Sequence, residues 1–343
     1  MLKILMIGPS RTAKGGIATV INSFSKSTQF EVHSLTTWTE SSWQKHFVKN
    51  LLRLRYILQK EKYHIIHFHV AQRGSFWRKS ILLQMVPKKV PTVFHMHASQ
   101  FDQFYSQANF LKKYWIKRTF DRCGEIVAVS SEWQSFYQRL THTEVSYVKN
   151  SVSIQKESCF SADTKRIVTL GKLGTRKGTY DIIKAAKIIW LRDKKIVFEL
   201  YGNGELEICQ KLAETLPNVT VYPWISHQEI SEKLKGTSLH LLPSYHEGLP
   251  MAVLETMALG IPNLTSTVGG LPSLIDNGSN GWLLPAGDPE QLAQRILEIF
   301  EKDCLTEISI AAKKTIESQF SLERYFEYWN EIYRKLLEKK SKK

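Results

Sequence analysis

Short runs rich in β-branched residues alternate with longer segments of helical periodicity from one end of the chain to the other. This alternation is typical of parallel sheets built from strand, helix, strand units. We predict a first sheet with the strands KILMIG, EVHSLTT, HIIHFHV, TVFHMHA, EIVAVS and VSYVK. We predict a second sheet with the strands RIVTLG, IVFELYG, VTVYPW, LHLLPS, PNLTS and GWLLP. The chain is therefore expected to be an α/β protein with two parallel sheets.

Helical segments are predicted between these strands. Those of the first sheet are GIATVINSFSKS, SSWQKHFVKNLLRLRYILQKEK, SFWRKSILLQMV, NFLKKYWIKRTFDRC and SEWQSFYQRL. The chain ends in SLERYFEYWNEIYRKLLEK, where Phe326, Trp329, Tyr333 and Leu337 recur at helical spacing. An aromatic stripe at this spacing is usually buried, so we expect this last helix to pack into a core.

The length of the chain indicates the number of domains, and a polar segment indicates where they join. A chain of 343 residues is too long for one ordinary core and suits two domains of roughly 150 to 170 residues. We predict the join within residues 150–164, a polar stretch without strong periodicity.

Membrane-spanning, secreted and disulfide-rich classes are disfavoured. No apolar run approaches the roughly 18 residues that a spanning helix needs. The first residues, MLKILMIG, are too few for a signal peptide and lack a small-residue cleavage site, so a cytosolic protein is expected. The four cysteines are scattered without a CxxC pair, which disfavours a metal knuckle or a disulfide framework.

The positive charge is concentrated in the first half of the chain. The net charge is +15, of which residues 1–155 carry +14 and residues 156–343 carry +1. A domain with this excess favours a polyanionic partner. The candidates are nucleic acid, an anionic membrane face and a phosphorylated substrate.

Two glutamates lie near the predicted strand LHLLPS, in the segment YHEGLPMAVLE. In open α/β sheets, ligands bind where strands lead into helix N-termini, and Glu247 falls in such a loop. Pro250 suits a first helical turn, and the free N–H groups around Met251 then form an anion site. Glu247 and Glu255 could accept hydrogen bonds from hydroxyls, which suits a nucleotide sugar. Alternatively, Glu255 could pair with a surface lysine, and Glu247 could complement the helix dipole.

A second loop carries three cations ahead of a predicted helix. In GKLGTRKGTYDIIKAA, Lys172, Arg176 and Lys177 stand between two glycines, an arrangement that suits phosphate binding. A surface charge cluster is the alternative. The loop lacks the spacing of a P-loop, and GPSRTAKGGIA lacks that of a dinucleotide fold, so kinases and dehydrogenases are disfavoured.

The histidines raise the question of a metal site. His67 and His69, like His95 and His97, form i, i+2 pairs that point to one face of a strand. No nearby carboxylate or cysteine completes a ligand set in the sequence. We therefore expect histidines of a core or a binding-site wall and no metal.

The order of the motifs resembles that of the retaining glycosyltransferases of family 4, over nearly the whole chain. The motifs are GGIA, FHMHAS, VKNSV, GKLGTRKG, YGNGE, LPSYHEGLPMAVLETMALGIP and VGGLPSLIDNGSNGWLLPAGDPEQLA. Within the family, the chain looks most like bacterial exopolysaccharide, capsule and lipopolysaccharide enzymes. The resemblance implies the GT-B fold, with two Rossmann-like domains that face each other across a cleft.

The resemblance also implies domain roles. Residues 1–155 would form an acceptor-binding domain and residues 156–320 a domain that binds the nucleotide-sugar donor. Residues 321–343 would form a helix that crosses back onto the first domain.

Site residues are implied by matching the motifs position by position. Lys172 and Lys177 would hold the donor diphosphate, Glu247 the transferred sugar and Glu255 the ribose. The catalytic set would be Glu247, Lys177, Lys172 and His97. The donor-binding set would be Gly15, Gly16, Lys172, Lys177, Glu247, Gly248, Leu249, Met251 and Glu255.

Three positions depart from the family pattern. Lys172 stands where arginine is usual, so a bidentate contact becomes a point charge. Pro250 stands where many members have glycine, which removes a backbone donor. Asn150 is followed by Ser-Val-Ser where Gly-Val-Asp is common. These changes bear mainly on which sugar is bound.

The expected function is transfer of a hexosyl unit, with retention, from a nucleoside diphosphate sugar such as a UDP-sugar to a glycan or lipid-linked acceptor. No metal or other cofactor is implied. An anionic membrane surface is a further expected partner, because basic residues alternate with Trp and Tyr in NFLKKYWIKRTFDRC. The alternatives are a nonhydrolysing UDP-sugar 2-epimerase, a nucleic-acid-binding protein and a non-catalytic sugar-nucleotide sensor.

Overall fold

The structure, a computed structural model, describes residues 1–39, 44–226 and 228–341. The chain divides into two compact units. The first unit is formed by Met1–Asn150 together with Leu322–Lys343, and the second by Ser151–Ser321.

The first unit contains a six-stranded parallel sheet with the strand order β2-β1-β3-β4-β5-β6. Its strands are β1 (Leu2–Pro9), β2 (Phe30–Trp38), β3 (Ile65–Val70), β4 (Thr92–Met96), β5 (Glu125–Ala128) and β6 (Val145–Tyr147). Its helices up to the end of the sheet are α1 (Gly16–Ser25), α2 (Gln44–Lys60), α3 (Gly74–Met85), α4 (Phe101–Ser106), α5 (Phe110–Arg122) and α6 (Ser131–Gln138).

The second unit contains another six-stranded parallel sheet, with the order β12-β11-β10-β7-β8-β9. Its strands are β7 (Arg166–Leu173), β8 (Val197–Gly204), β9 (Val219–Pro223), β10 (Leu239–Leu242), β11 (Asn263–Ser266) and β12 (Trp282–Leu284). Its α-helices are α7 (Thr179–Trp190), α8 (Leu206–Ala213), α9 (Ile230–Lys233), α10 (Met251–Ala258), α11 (Pro289–Glu301) and α12 (Leu305–Gln319). The last helix of the chain, α13 (Leu322–Ser341), belongs to the first unit.

The predicted α/β class and all twelve predicted strands are confirmed. Strand β5 ends at Ala128, two residues before the predicted end. The reason is local, because the Ser130 hydroxyl accepts a hydrogen bond from the backbone N–H of Trp133 and so begins helix α6. The short helix α4 was not predicted from the sequence. The predicted start of α2, at Ser41, lies outside the described residues.

The central strands of the first sheet are buried on both faces. Every residue of β3 and β4 is buried, as expected for parallel strands covered by helices on both sides. Their neighbouring residues His69 and His95 face each other in register.

Helix α13 packs on the sheet of the first unit through its aromatic residues. The Trp329 ring lies 4.6 Å from the His67 ring and 5.6 Å from the Phe24 ring, measured between centroids. The Tyr333 hydroxyl lies 2.6 Å from His67 Nδ1. The predicted stripe is therefore confirmed at its aromatic positions, but Leu336 is buried in place of Leu337, which lies only partly inside.

The second unit is built around aliphatic residues of β10, α7 and α11, including Leu241, Ile182, Ile189 and Ile296. Helix α11 begins at a strong cap, because Asp288 accepts hydrogen bonds from the backbone N–H groups of Glu290 and Gln291. Within the described ranges, no helix is both long enough and apolar enough to cross a membrane.

We expect Trp329→Ala to lower the free energy of unfolding by about 3–5 kcal/mol, because it leaves a cavity among buried aromatic rings. Urea unfolding followed by circular dichroism measures the change. Tyr328→Ala is the matched control, since Tyr328 is 53% exposed on the same helix and its loss should change stability little. Equal stability of the two variants would contradict the assigned packing of α13.

Candidate functional site

The loop between β10 and α10 carries the first of the two glutamates. Glu247 lies in this loop and is only 7% exposed. Helix α10 begins at Met251, and Pro250 is the N-cap residue just before it. The prediction that Pro250 lies in the first helical turn is therefore wrong by one position. Among the residues that the structure describes, no side chain caps this helix, and its first backbone N–H groups have no acceptor within the helix. These N–H groups and the helix dipole suit an anion.

The Lys177 side chain forms an ion pair with Glu247. Lys177 Nζ lies 2.6 Å from Glu247 Oε1, and Arg176 Nη1 lies 3.5 Å from the same oxygen. Arg176 also donates a hydrogen bond to the backbone carbonyl of His246. Burial lowers the pKa of Lys177, and the negative charge of Glu247 opposes this shift. The structure thus brings together a cation expected to bind phosphate and a carboxylate expected to bind the sugar.

The backbone lets the two loops approach closely. Lys177 ends a 3₁₀ turn, and Gly178 follows it with φ +68° at the start of α7. A Cβ atom at Gly178 would lie 2.2 Å from the carbonyl oxygen of Pro243, so only glycine fits both the conformation and the space.

Lys172 lies near the end of β7 with an exposed side chain, and it makes no ion pair within the described residues. Its aliphatic part lies beside Gly204, because a Cβ atom there would be 2.9 Å from Lys172 Cγ. The structure therefore does not join Lys172 to the Lys177–Glu247 pair.

A third loop supports the residues after Glu247. The backbone N–H of Gly270 donates a hydrogen bond to the carbonyl of Gly248 at 2.5 Å. Gly269 has φ +56°, and a Cβ atom there would lie 2.1 Å from the carbonyl oxygen of Glu247. Leu249 is buried, and a Cβ atom at Gly270 would lie 3.3 Å from its Cβ. Gly248 and Leu249 are thus held in place before α10 begins.

Glu255 lies on the second turn of α10 and is partly buried. The surrounding protein raises the pKa of its carboxyl to about 7 by desolvation. A carboxyl with this pKa changes its charge near neutral pH.

The remaining predicted site residues lie in the first unit. Gly15, with φ +133°, precedes α1, and Gly16 is the first residue of that helix. His97 follows β4, and its backbone N–H donates to the carbonyl of Val70 at 2.8 Å. Its Nε2 lies 3.0 Å from His69 Nδ1. Burial, together with the charge of Lys79, lowers the pKa of His97 to about 3, so the ring is neutral at physiological pH.

The buried histidines of this unit could hold a metal ion. His67, His69 and His95 are fully buried, and their candidate ligand atoms lie within 4.8 Å of one another. Burial lowers the pKa of all three well below the usual value, which leaves neutral imidazoles. The cluster contains no carboxylate, so a divalent ion among these rings would lack a compensating charge. The expected absence of a metal stays a prediction.

Sequence reasoning missed Lys79. This residue lies on α3 and is only 2% exposed, beside the buried Phe76 and Ser80. The signal in the sequence was a lysine at the apolar spacing of the helix, four residues after Ser75 and close to the end of β3.

Two protein-family models match the chain. The model described as Glycosyltransferase Family 4 matches residues 15–156, and the model described as Glycosyl transferases group 1 matches residues 152–316. Together they span the residues of the predicted motifs in both units.

Curated relatives and solved structures agree with these matches. The amylovoran biosynthesis glycosyltransferase AmsK of Erwinia amylovora is 25% identical over 79% of this chain and 70% of its own length. The UDP-Gal:alpha-D-GlcNAc-diphosphoundecaprenol alpha-1,3-galactosyltransferase of Escherichia coli is 24% identical, over 83% of this chain and 79% of its own length.

Among solved structures, HepE of Anabaena, in complex with UDP and glucose, superposes with a TM-score of 0.75 at 16% identity. The match covers 98% of this chain and all of HepE. The two parallel sheets, this likeness of fold and the two family domains lead to one assignment. The chain belongs to the glycosyltransferases of the GT-B fold, with a family 4 domain followed by a group 1 domain.

Proposed function

We propose that the protein transfers a hexosyl unit, with retention, from a UDP-sugar to a glycan or lipid-linked saccharide. The observation that carries the proposal is the Lys177–Glu247 ion pair beside the uncapped start of α10. It combines phosphate-binding and hydroxyl-binding groups, and a nucleotide sugar needs both. The name of the Escherichia coli relative contains a UDP-sugar donor, which supports this class of donor, and the amylovoran biosynthesis named for the Erwinia amylovora relative supports a role in bacterial polysaccharide synthesis.

The main barrier to such a reaction is the charge that develops on the leaving diphosphate. Lys177 and the first N–H groups of α10 would stabilise this charge without rearrangement, because the protein already holds them in position. Lys172, whose side chain is exposed, would add a second cation once the donor is bound. The reaction would then need no metal ion.

Glu247 would accept hydrogen bonds from the hydroxyls of the transferred sugar. Its Oε1 atom is occupied by Lys177, so the pair fixes the orientation of the carboxylate. Glu255 would contact the ribose, and His97, as a neutral ring, would contact the sugar. The leaving phosphate would take the proton of the acceptor hydroxyl on the same face.

Incubation with a panel of nucleotide sugars should release nucleoside diphosphate, and UDP-sugars should be the active donors. We expect Lys177→Ala to lower the turnover number a hundredfold or more, which corresponds to about 3 kcal/mol of transition-state stabilisation. Coupled detection of UDP release measures both effects. Lys184→Ala, at an exposed position on α7, is the control and should keep full activity. Near-normal turnover of the Lys177 variant would contradict the assigned donor site.

The raised pKa of Glu255 predicts a pH-dependent stability. Because the unfolded chain ionises this carboxyl at a lower pH than the folded chain, the fold loses stability as pH rises from about 4.5 to about 7. Glu255→Gln should therefore stabilise the protein at pH 8 by about 2 kcal/mol, below the full shift since the side chain is partly exposed. Urea unfolding of the wild type and the variant at pH 5 and pH 8 measures the difference in the free energy of unfolding. The stabilisation by Glu255→Gln should be much smaller at pH 5. An equal gain at both values would argue against the raised pKa.

We further propose that the first unit docks on the inner face of the cytoplasmic membrane. Several apolar side chains of α5 and α3 are exposed, with Phe110 at 80% and Leu111 at 72%. An apolar groove lies beside them, lined by Trp77, Ile81, Leu111, Lys112 and Trp115. Lysines and arginines surround these residues, which suits a headgroup interface. The protein would act from the cytosol as a peripheral membrane protein.

Liposome sedimentation tests this docking. Binding should need anionic lipid, weaken with added salt and fall when Lys112, Lys113 and Lys117 are changed to Glu, because each cation contributes about 1 kcal/mol. The matched control changes three exposed lysines of the second unit to Glu, namely Lys184, Lys187 and Lys194. Equal binding to neutral liposomes, or an equal loss in the control, would refute docking through α5.

A further inference from the structure

The ammonium group of Lys79 is buried without a carboxylate. Lys79 Nζ donates to Ser75 Oγ at 3.0 Å, and no ion pair with an acid is present within the described part of the chain. Transfer of an ammonium from water into the protein interior costs several kcal/mol unless an anion compensates it. In the second unit, Lys177 is compensated by Glu247, so the contrast with Lys79 points to a missing anionic partner.

The first turn of α3, above Lys79, offers hydrogen-bond donors to a ligand. Ser75 Oγ accepts hydrogen bonds from the backbone N–H of Ala71 at 3.1 Å and from Lys79, which occupies both of its lone pairs. The hydroxyl hydrogen of Ser75 is therefore left to donate to a further acceptor. The first N–H groups of α3 also lack acceptors inside the helix, and no side chain of the described ranges caps them.

The open side of this cluster faces solvent. Arg73 and Gly74 are exposed and Ser75 is partly exposed, whereas Lys79 lies one helical turn beneath them. A ligand seated on the first turn of α3 would thus contact Ser75 and backbone N–H groups. Lys79 would supply positive charge from a region of low dielectric, where its attraction is strong.

The cluster also borders His97. Strands β3 and β4 are parallel neighbours, so the start of α3 and the residue after β4 lie at the same edge of the sheet. The positive charge of Lys79 contributes to the lowered pKa of both His69 and His97, so the three groups lie within electrostatic range of one another.

We propose that Ser75, Lys79 and the first turn of α3 bind a phosphate or diphosphate group carried by the acceptor, beside His97. A phosphoryl group offers several anionic oxygens to the donors gathered at this helix start. The inference rests on the proposed function, since a lipid-linked saccharide acceptor carries such a group. The donor diphosphate has its own candidate site in the second unit.

Calorimetric titration with three probes, in saturating UDP, tests the proposal. Farnesyl diphosphate should bind more tightly than inorganic pyrophosphate, and farnesol should bind weakest. Lys79→Met keeps the length of the side chain and should weaken farnesyl diphosphate binding at least tenfold, as should Ser75→Ala, without an effect on farnesol. The control Lys62→Met, at an exposed position of the same unit, should bind like the wild type.

A thermal melt separates this role from a structural one. Lys79→Met removes a buried amine whose protonation is disfavoured by desolvation, so its melting temperature should equal or exceed that of the wild type. A large fall in melting temperature, or unchanged affinity for farnesyl diphosphate, would overturn the proposal. Pyrophosphate binding as tight as that of farnesyl diphosphate would overturn the assignment to a lipid-linked acceptor. The UDP titration of the wild type tests the donor site separately, so the two failures can be distinguished.

Discussion

The Lys177–Glu247 ion pair depends on which strands are neighbours in the second sheet. The two residues are 70 positions apart, yet β7 and β10 lie side by side, and the loops that follow them meet at one edge. Gly178 permits this approach because any side chain there would strike Pro243. The hydrogen bond from Gly270 to Gly248 and the start of α10 lie at the same edge, so the part of the candidate donor site around Glu247 depends on this strand order.

The two buried lysines, Lys177 and Lys79, differ in whether a carboxylate compensates the charge of the side chain. Lys177 forms an ion pair with Glu247, and a bound donor phosphate would interact with the same ammonium group. Within the described residues, Lys79 is hydrogen-bonded to the hydroxyl of Ser75 and to no carboxylate, and its pKa falls to about 7 through burial and the neighbouring Arg78. A protein that keeps such a lysine gives up stability, which is common where a ligand supplies the missing charge.

Elements with a strong local pattern were predictable, and elements that depend on packing were not. The twelve strands follow from β-branched runs bounded by turns, because the pleated, buried environment selects those residues. Helix α4 has only six residues, too few for a periodic signal. Leu336 is buried in place of Leu337 because of the way α13 packs against β3. The spacing of apolar residues within α13 does not specify this orientation.

The sequence by itself determined the α/β class, the two-sheet organisation, the family and the loops in which the charged residues lie, because these are properties of local patterns and ordered motifs. It placed Glu247 in a loop and Glu255 on a helix, but it treated Lys172 and Lys177 as equivalent. Only the tertiary structure decided that Lys177 pairs with Glu247 while Lys172 stays exposed, and that Lys79 is buried beside His97. Contacts between residues far apart in the chain depend on strand order and on the packing of neighbouring loops, which no local pattern encodes.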